Sequence, residues 1–205
     1  MTPWGLATYL RRGEISARVL RFLGLLAVLL FAARAAHPEV PAGQKPRPSV
    51  KATDLALRIH ARINEERVKQ GLSPLAWDKA LSRIAVGHSR DMARRKYLAH
   101  DSPEGQGFPQ RYHQAGYTCR IRIGRTIHGG AENIALNHLY DSVTTVNGTA
   151  HYDWNSSEKI ARKALEGWMK SPGHRKNILT PHWRREGIGV EISLDHKVYI
   201  TQNFC

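Results

Sequence analysis

Trp168-Met169-Lys170-Ser171-Pro172-Gly173-His174-Arg175-Lys176-Asn177-Ile178-Leu179 is the stretch that organises the chain. A helical apolar pattern, Ala161, Ala164, Leu165 and Trp168, runs into Ser171-Pro172-Gly173. Proline lacks the N–H that a helix needs and glycine tolerates positive φ, so this corner predicts a helix stop. His174 follows at once, then a short segment, then Gly187-Ile188-Gly189-Val190-Glu191-Ile192, whose alternation predicts a strand. An imidazole held on a turn between helix and strand is a candidate for chemistry. A buried or solvated structural histidine is the default reading of that residue taken alone.

Upstream, Leu55, Ile59 and Ile63 recur at helical spacing after Thr53-Asp54, which predicts an N-cap there and a stop at Gly71. Asp78 opens a second helix whose face carries Leu81, Ile84, Ala85, His88 and Met92, fading near Tyr97. His88 lies inside that apolar stripe and reads as a hydrogen-bonded core residue. From Ala99 to Gly130 the pattern breaks into turns, with a helical turn near Arg111 and a short strand at Ile121 and Ile123. His138 to Asn155 has no period and is read as a long loop holding two N-x-S/T sites, at Asn147 and Asn155. Ser156 or Ser157 caps the helix that ends at the Ser-Pro-Gly corner, and a hairpin turning near Asp195-His196 closes the chain. Helices and strands without a βαβ rhythm predict an α+β fold.

The charge of the 205-residue chain is +14, of which residues 1–35 supply +4 through five arginines and one glutamate. A body this basic is drawn to polyanions such as anionic lipid headgroups, acidic envelope polymers or nucleic acid. Residues 1–35 read as a signal peptide or an N-terminal membrane anchor, with Arg11, Arg12, Arg18 and Arg21 before an apolar run from Phe22 to Ala33. Residues 36–52 are a Pro-rich linker, and 53–205 form the folded domain. Either fate of the leader places the domain outside the cytoplasm. Cys119 and Cys205 are the only cysteines. In an exported chain they are candidates for one disulfide, closing a loop worth roughly 4–5 kcal/mol, with two unpaired thiols as the alternative.

Three segments stand out together: Leu98-Ala99-His100-Asp101-Ser102-Pro103, Gly130-Ala131-Glu132-Asn133-Ile134-Ala135, and Trp168 to Leu179. With Ile63-Asn64-Glu65-Glu66-Arg67, Gly71 to Asp78, Gly187 to Val190 and Tyr199 to Phe204, the chain resembles the bacterial branch of the CAP superfamily. That superfamily takes in cysteine-rich secretory proteins, antigen 5 and pathogenesis-related 1, and its domain is also called SCP. The resemblance implies an α-β-α sandwich around a central antiparallel sheet, with a cleft holding two histidines and one or two glutamates. By motif position these are His100, His174 and Glu132. The second carboxylate of many members lies three residues after the tryptophan of a W-x-x-E motif; here that residue is Ser171, so the tetrad is incomplete.

Two neutral imidazoles and a carboxylate from separate segments suit Zn²⁺ or another divalent metal with an open position. Without metal, the same trio could pair a general-base histidine with a glutamate that fixes its tautomer. Alternatively, Glu132 bonds backbone N–H groups and the imidazoles bond water or carbonyls. Asn64 and Asn133 read as structural amides, and Trp77 and Trp168 as core. Ser102 and Ser171 are the serines nearest the histidines in sequence, but neither sits in a G-x-S-x-G elbow. The leading expectation is therefore a non-catalytic extracytoplasmic binding module for a lipid, peptide or envelope component. The alternative is a hydrolase of peptide or ester bonds using the same cleft. Nucleic acid is not expected as a partner, since aromatics are sparse and no recognised motif is present.

Overall fold

The computed structural model describes residues 46–205. The leader and most of the linker expected at 1–35 and 36–52 lie outside the described residues. The elements follow in the order α1 (Ala52–Lys69), β1 (Ala76–Trp77), α2 (Lys79–Arg95), α3 (Phe108–Gln114), β2 (Ile121–Ile123), β3 (Thr126–His128), β4 (Ala131–His138), β5 (Tyr140–Val146), β6 (Thr149–Trp154), α4 (Ser157–Lys170), α5 (Pro172–Leu179), β7 (Arg185–Ile192) and β8 (Lys197–Phe204). The main sheet runs β1-β7-β8-β4; its three long strands are antiparallel, and the two-residue β1 joins β7 in parallel. This is the expected α+β sandwich around a mainly antiparallel sheet.

Strand alternation decides which helix covers which face. Ile188, Val190, Val198 and Ile200 pack with Leu55, Ile59 and Ile63 of α1 and Ile160, Ala164 and Trp168 of α4. Gly187 and Gly189 face the other way, beneath α2. A Cβ on Gly189 would lie 2.1 Å from the Val86 backbone nitrogen, and one on Gly187 2.1 Å from that of Ser82. Only glycine lets the α2 backbone descend onto the sheet, and this is the physical content of the Gly187-Ile188-Gly189-Val190 pattern. Ser89 clamps the contact: its hydroxyl donates to Gly189 O at 3.0 Å and is hydrogen-bonded to the Thr201 hydroxyl at 2.9 Å.

Asp78 caps α2 by accepting from the N–H groups of Ala80 and Leu81 at 2.8 and 3.0 Å. Ser156 caps α4. The α1 cap differs from expectation, because the helix starts at Ala52 and Lys51 stands at the cap without a side-chain bond. The Ser-Pro-Gly corner also differs. α4 ends at Lys170, but Pro172 opens α5 as its first residue, where a missing N–H costs nothing. His174 therefore sits in the first turn of a helix, not on an open turn.

The expected loop at His138–Asn155 is a hairpin, β5–β6, forming a two-stranded sheet of its own. Its turn is Asn147-Gly148, both with positive φ (+49° and +76°), as a two-residue type I′ hairpin loop requires. Tyr152 stacks on Trp154 at 4.6 Å, and His196 from the β7–β8 turn stands edge-on to both rings. At the other end of the sheet, Cys119 and Cys205 form the expected disulfide, with Cα atoms 5.6 Å apart.

Candidate functional site

Glu132 is the second residue of β4, an edge strand of the sheet, and its side chain is 1% exposed. His100 comes from the loop after α2, and its Nδ1 donates to Glu132 Oε1 at 3.0 Å. The two imidazoles, His100 and His174, have ring centroids 6.3 Å apart. The chain thus brings its three expected site residues to one place, at the end of β4 where α5 and the 96–107 loop meet. His100 and Glu132 line a cleft of about 480 Å³ together with Asp101, Phe108 and Asn177, and His174 stands beside His100 outside that lining.

A fourth residue, Arg111 of α3, was not singled out by the sequence. Its Nη2 donates to Glu132 Oε2 at 2.6 Å, and its Nη1 donates to the carbonyls of His100 and Gln106 at 3.0 and 2.7 Å. The guanidinium therefore neutralises the buried carboxylate and pins both ends of the loop that carries His100. Its partners lie 21, 11 and 5 residues away, and no local period marks such a contact.

The rest of that loop is held by charge. Arg95 pairs with Asp91 and Glu104, and its guanidinium, with the Ser102 hydroxyl, holds the Glu104 carboxyl down at about 2. Ser102 Oγ donates to Glu104 Oε2 at 2.8 Å, so it is turned into this network. Neither Ser102 nor Ser171 is hydrogen-bonded to an imidazole. His88, buried as expected, donates from Nε2 to Ala99 O at 3.0 Å and so fixes the residue before His100.

His174 is placed by two asparagines. Asn133 Nδ2 donates to His174 O at 3.3 Å, and Asn177 Nδ2 donates to Glu132 O and Asn133 Oδ1 at 3.1 and 2.9 Å. Burial, and secondarily the neighbouring His100, lower the His174 pKa below the ordinary imidazole value, so the ring is neutral at pH 7. The amide chain continues through Asn133 to Gln202 at 3.0 Å, to Glu186 at 2.5 Å and to His60 Nδ1 at 2.5 Å. Asn64, the other structural amide, both donates to and accepts from the backbone of Leu75.

The three-ligand metal set does not fit this geometry. Both oxygens of Glu132 are committed, one to His100 and one to Arg111. Among the described residues no group of three or more His, Cys, Asp or Glu is arranged to hold a metal ion. Glu132 instead orients His100: as an ionised carboxylate it only accepts, which places the His100 proton on Nδ1 and leaves Nε2 free to accept.

The profile of the cysteine-rich secretory protein family, CAP, matches residues 60–204, and the chain belongs to that family. Among curated relatives it is 33% identical over 141 residues to an uncharacterized membrane protein of Bacillus subtilis (strain 168), YlbC, covering 69% of this chain and 31% of that one. It is 32% identical over 126 residues to the uncharacterized protein YkwD of the same organism, covering 62% of this chain and 38% of that one. The matched regions thus span about a third of those relatives. A solved structure of an extracellular SCP-domain protein from Bacillus anthracis is similar at a TM-score of 0.54 and 29% identity, covering 75% of this chain and 40% of that one.

Proposed function

We propose that the chain acts outside the cytoplasm as a non-catalytic binding module that takes a peptide or another amide- or hydroxyl-bearing envelope component into the His100/His174 cleft. The observation that carries this reading is the His100–Glu132–Arg111 chain of hydrogen bonds. It fixes one imidazole at the cleft wall, while the serines nearest in sequence are not bonded to either ring. The accepting Nε2 of His100 and the carboxylate of Asp101 supply polar anchors in the cleft, His174 stands neutral beside His100, and Phe108 supplies an apolar wall. The basic body adds a salt-sensitive attraction to anionic envelope polymers. Extracytoplasmic placement is supported by the leader-like residues 1–35 and by the disulfide. No described helix is long and apolar enough to cross a membrane.

The test is retention of the full chain on isolated bacterial envelope and on an immobilised peptide library. Wild type is expected to bind, and His100→Ala plus His174→Ala to lose the salt-resistant part. Equal retention of the double variant contradicts the cleft. Cleavage of library members that disappears in His174→Gln contradicts the non-catalytic reading and favours the hydrolase.

A further inference from the structure

α5 has two working faces. Asn177 lines the cleft and His174 stands beside His100, whereas Pro172, Arg175, Lys176 and Leu179 recur at helical spacing along another side. With Met169 and Lys170 from the end of α4, these four residues line a second cavity of about 350 Å³. Its three cations form no ion pair among the described residues. The other cations of α4 are all spoken for, since Lys159 and Lys163 pair with Asp141 and Arg162 pairs with Glu166. Within α4 and α5 the cations without an ion pair are therefore gathered at the elbow between the two helices, around an apolar floor of Met169, Pro172 and Leu179.

We propose that this elbow binds the headgroup of an anionic glycerophospholipid. Arg175 would supply paired N–H donors to the phosphate, and Lys170 and Lys176 would act as point charges beside it. The apolar floor distinguishes a lipid from free phosphate, because a bare ion would leave Met169 and Leu179 wet while a glycerol-linked acyl stem would cover them. This rests on the extracytoplasmic placement proposed above but on none of the cleft residues.

The test is calorimetric titration of the full chain with dihexanoyl phosphatidylglycerol below its micelle concentration, beside dihexanoyl phosphatidylcholine and inorganic phosphate. Saturable binding of the phosphatidylglycerol is expected. It should weaken by at least about tenfold in Lys170→Gln/Arg175→Gln/Lys176→Gln, the scale of losing charge-assisted hydrogen bonds. His100→Ala plus His174→Ala should bind it as wild type does. The other two ligands should bind at least about tenfold more weakly. All three cations are exposed, so the fold survives, and the single variant Lys170→Glu should show a loss in the same direction. The proposal is overturned by no saturable binding, by inorganic phosphate binding as tightly as the lipid, or by a loss confined to the histidine variant. That last result would assign the lipid to the cleft.

Discussion

Arg111 holds Glu132 through a 2.6 Å bond between guanidinium and carboxylate, and Glu132 passes the constraint to His100 through its other oxygen. The acidic residue that motif position marks as a ligand is thus the middle of a salt-bridged relay. Removing one partner of a buried pair leaves an uncompensated charge, so Arg111→Met should destabilise the domain by about 3–5 kcal/mol. Adding Glu132→Gln should restore part of that loss, because the stranded charge is gone. Urea denaturation of the single and double variants reads both effects.

Gly189→Ala should be more damaging than its one added methyl suggests. The new Cβ meets the Val86 nitrogen at 2.1 Å and the Ala85 carbonyl carbon at 2.2 Å, both backbone atoms that no rotamer can move aside. Separating α2 from β7 is the only relief, and the expected cost is at least about 3 kcal/mol. The thermal midpoint should fall sharply, whereas Gly167→Ala, with nothing within 4 Å, should leave it unchanged or raise it.

The disulfide joins positions 86 apart in the chain. Closing a loop of that length restricts the unfolded ensemble by roughly 4–5 kcal/mol in the chain-entropy account. Cys119→Ser plus Cys205→Ser should lower stability by an amount of that order. Reductant should lower the midpoint of wild type and leave the double variant unmoved.

His88 sets a pH dependence. Burial, the largest influence, lowers its pKa from the ordinary 6.5. A histidine whose folded pKa is depressed binds its proton more readily when unfolded. Its contribution is therefore fully present above pH 6.5 and is lost as pH falls through that value toward the folded one. Stability should fall between pH 7 and 5, and His88→Gln should flatten part of that slope while lowering stability at pH 7. Thermal melts across the range check the sign.

How much was legible follows from which contacts are local. The stripe of Leu81, Ile84, Ala85 and Met92, the Asp78 cap and the closing hairpin are patterns of one element, and the chain folds them as read. Asn147-Gly148 carries a hairpin signal too, but the flanking Asp141 to Val146 are all exposed, so no apolar alternation announces the strands. Pro172 reads as a stop because proline ends a helix and also begins one, and sequence alone does not separate the two roles. At the site, the segments carrying His100, Glu132 and His174 were visible. The commitment of Glu132 to Arg111 depends on how α3 is docked beside β4, which no spacing in the chain encodes.

His100, Glu132 and His174 are coupled, the carboxylate setting one ring's tautomer and that ring depressing the titration of the other. Histidine-selective ¹⁵N NMR on the folded protein tests this coupling most directly. His100 should carry its proton on Nδ1 and lose this preference in Glu132→Gln, and His174 should titrate below 6.5 and move upward in His100→Ala. A His174 titration indifferent to His100→Ala, together with a His100 tautomer indifferent to Glu132→Gln, would contradict it.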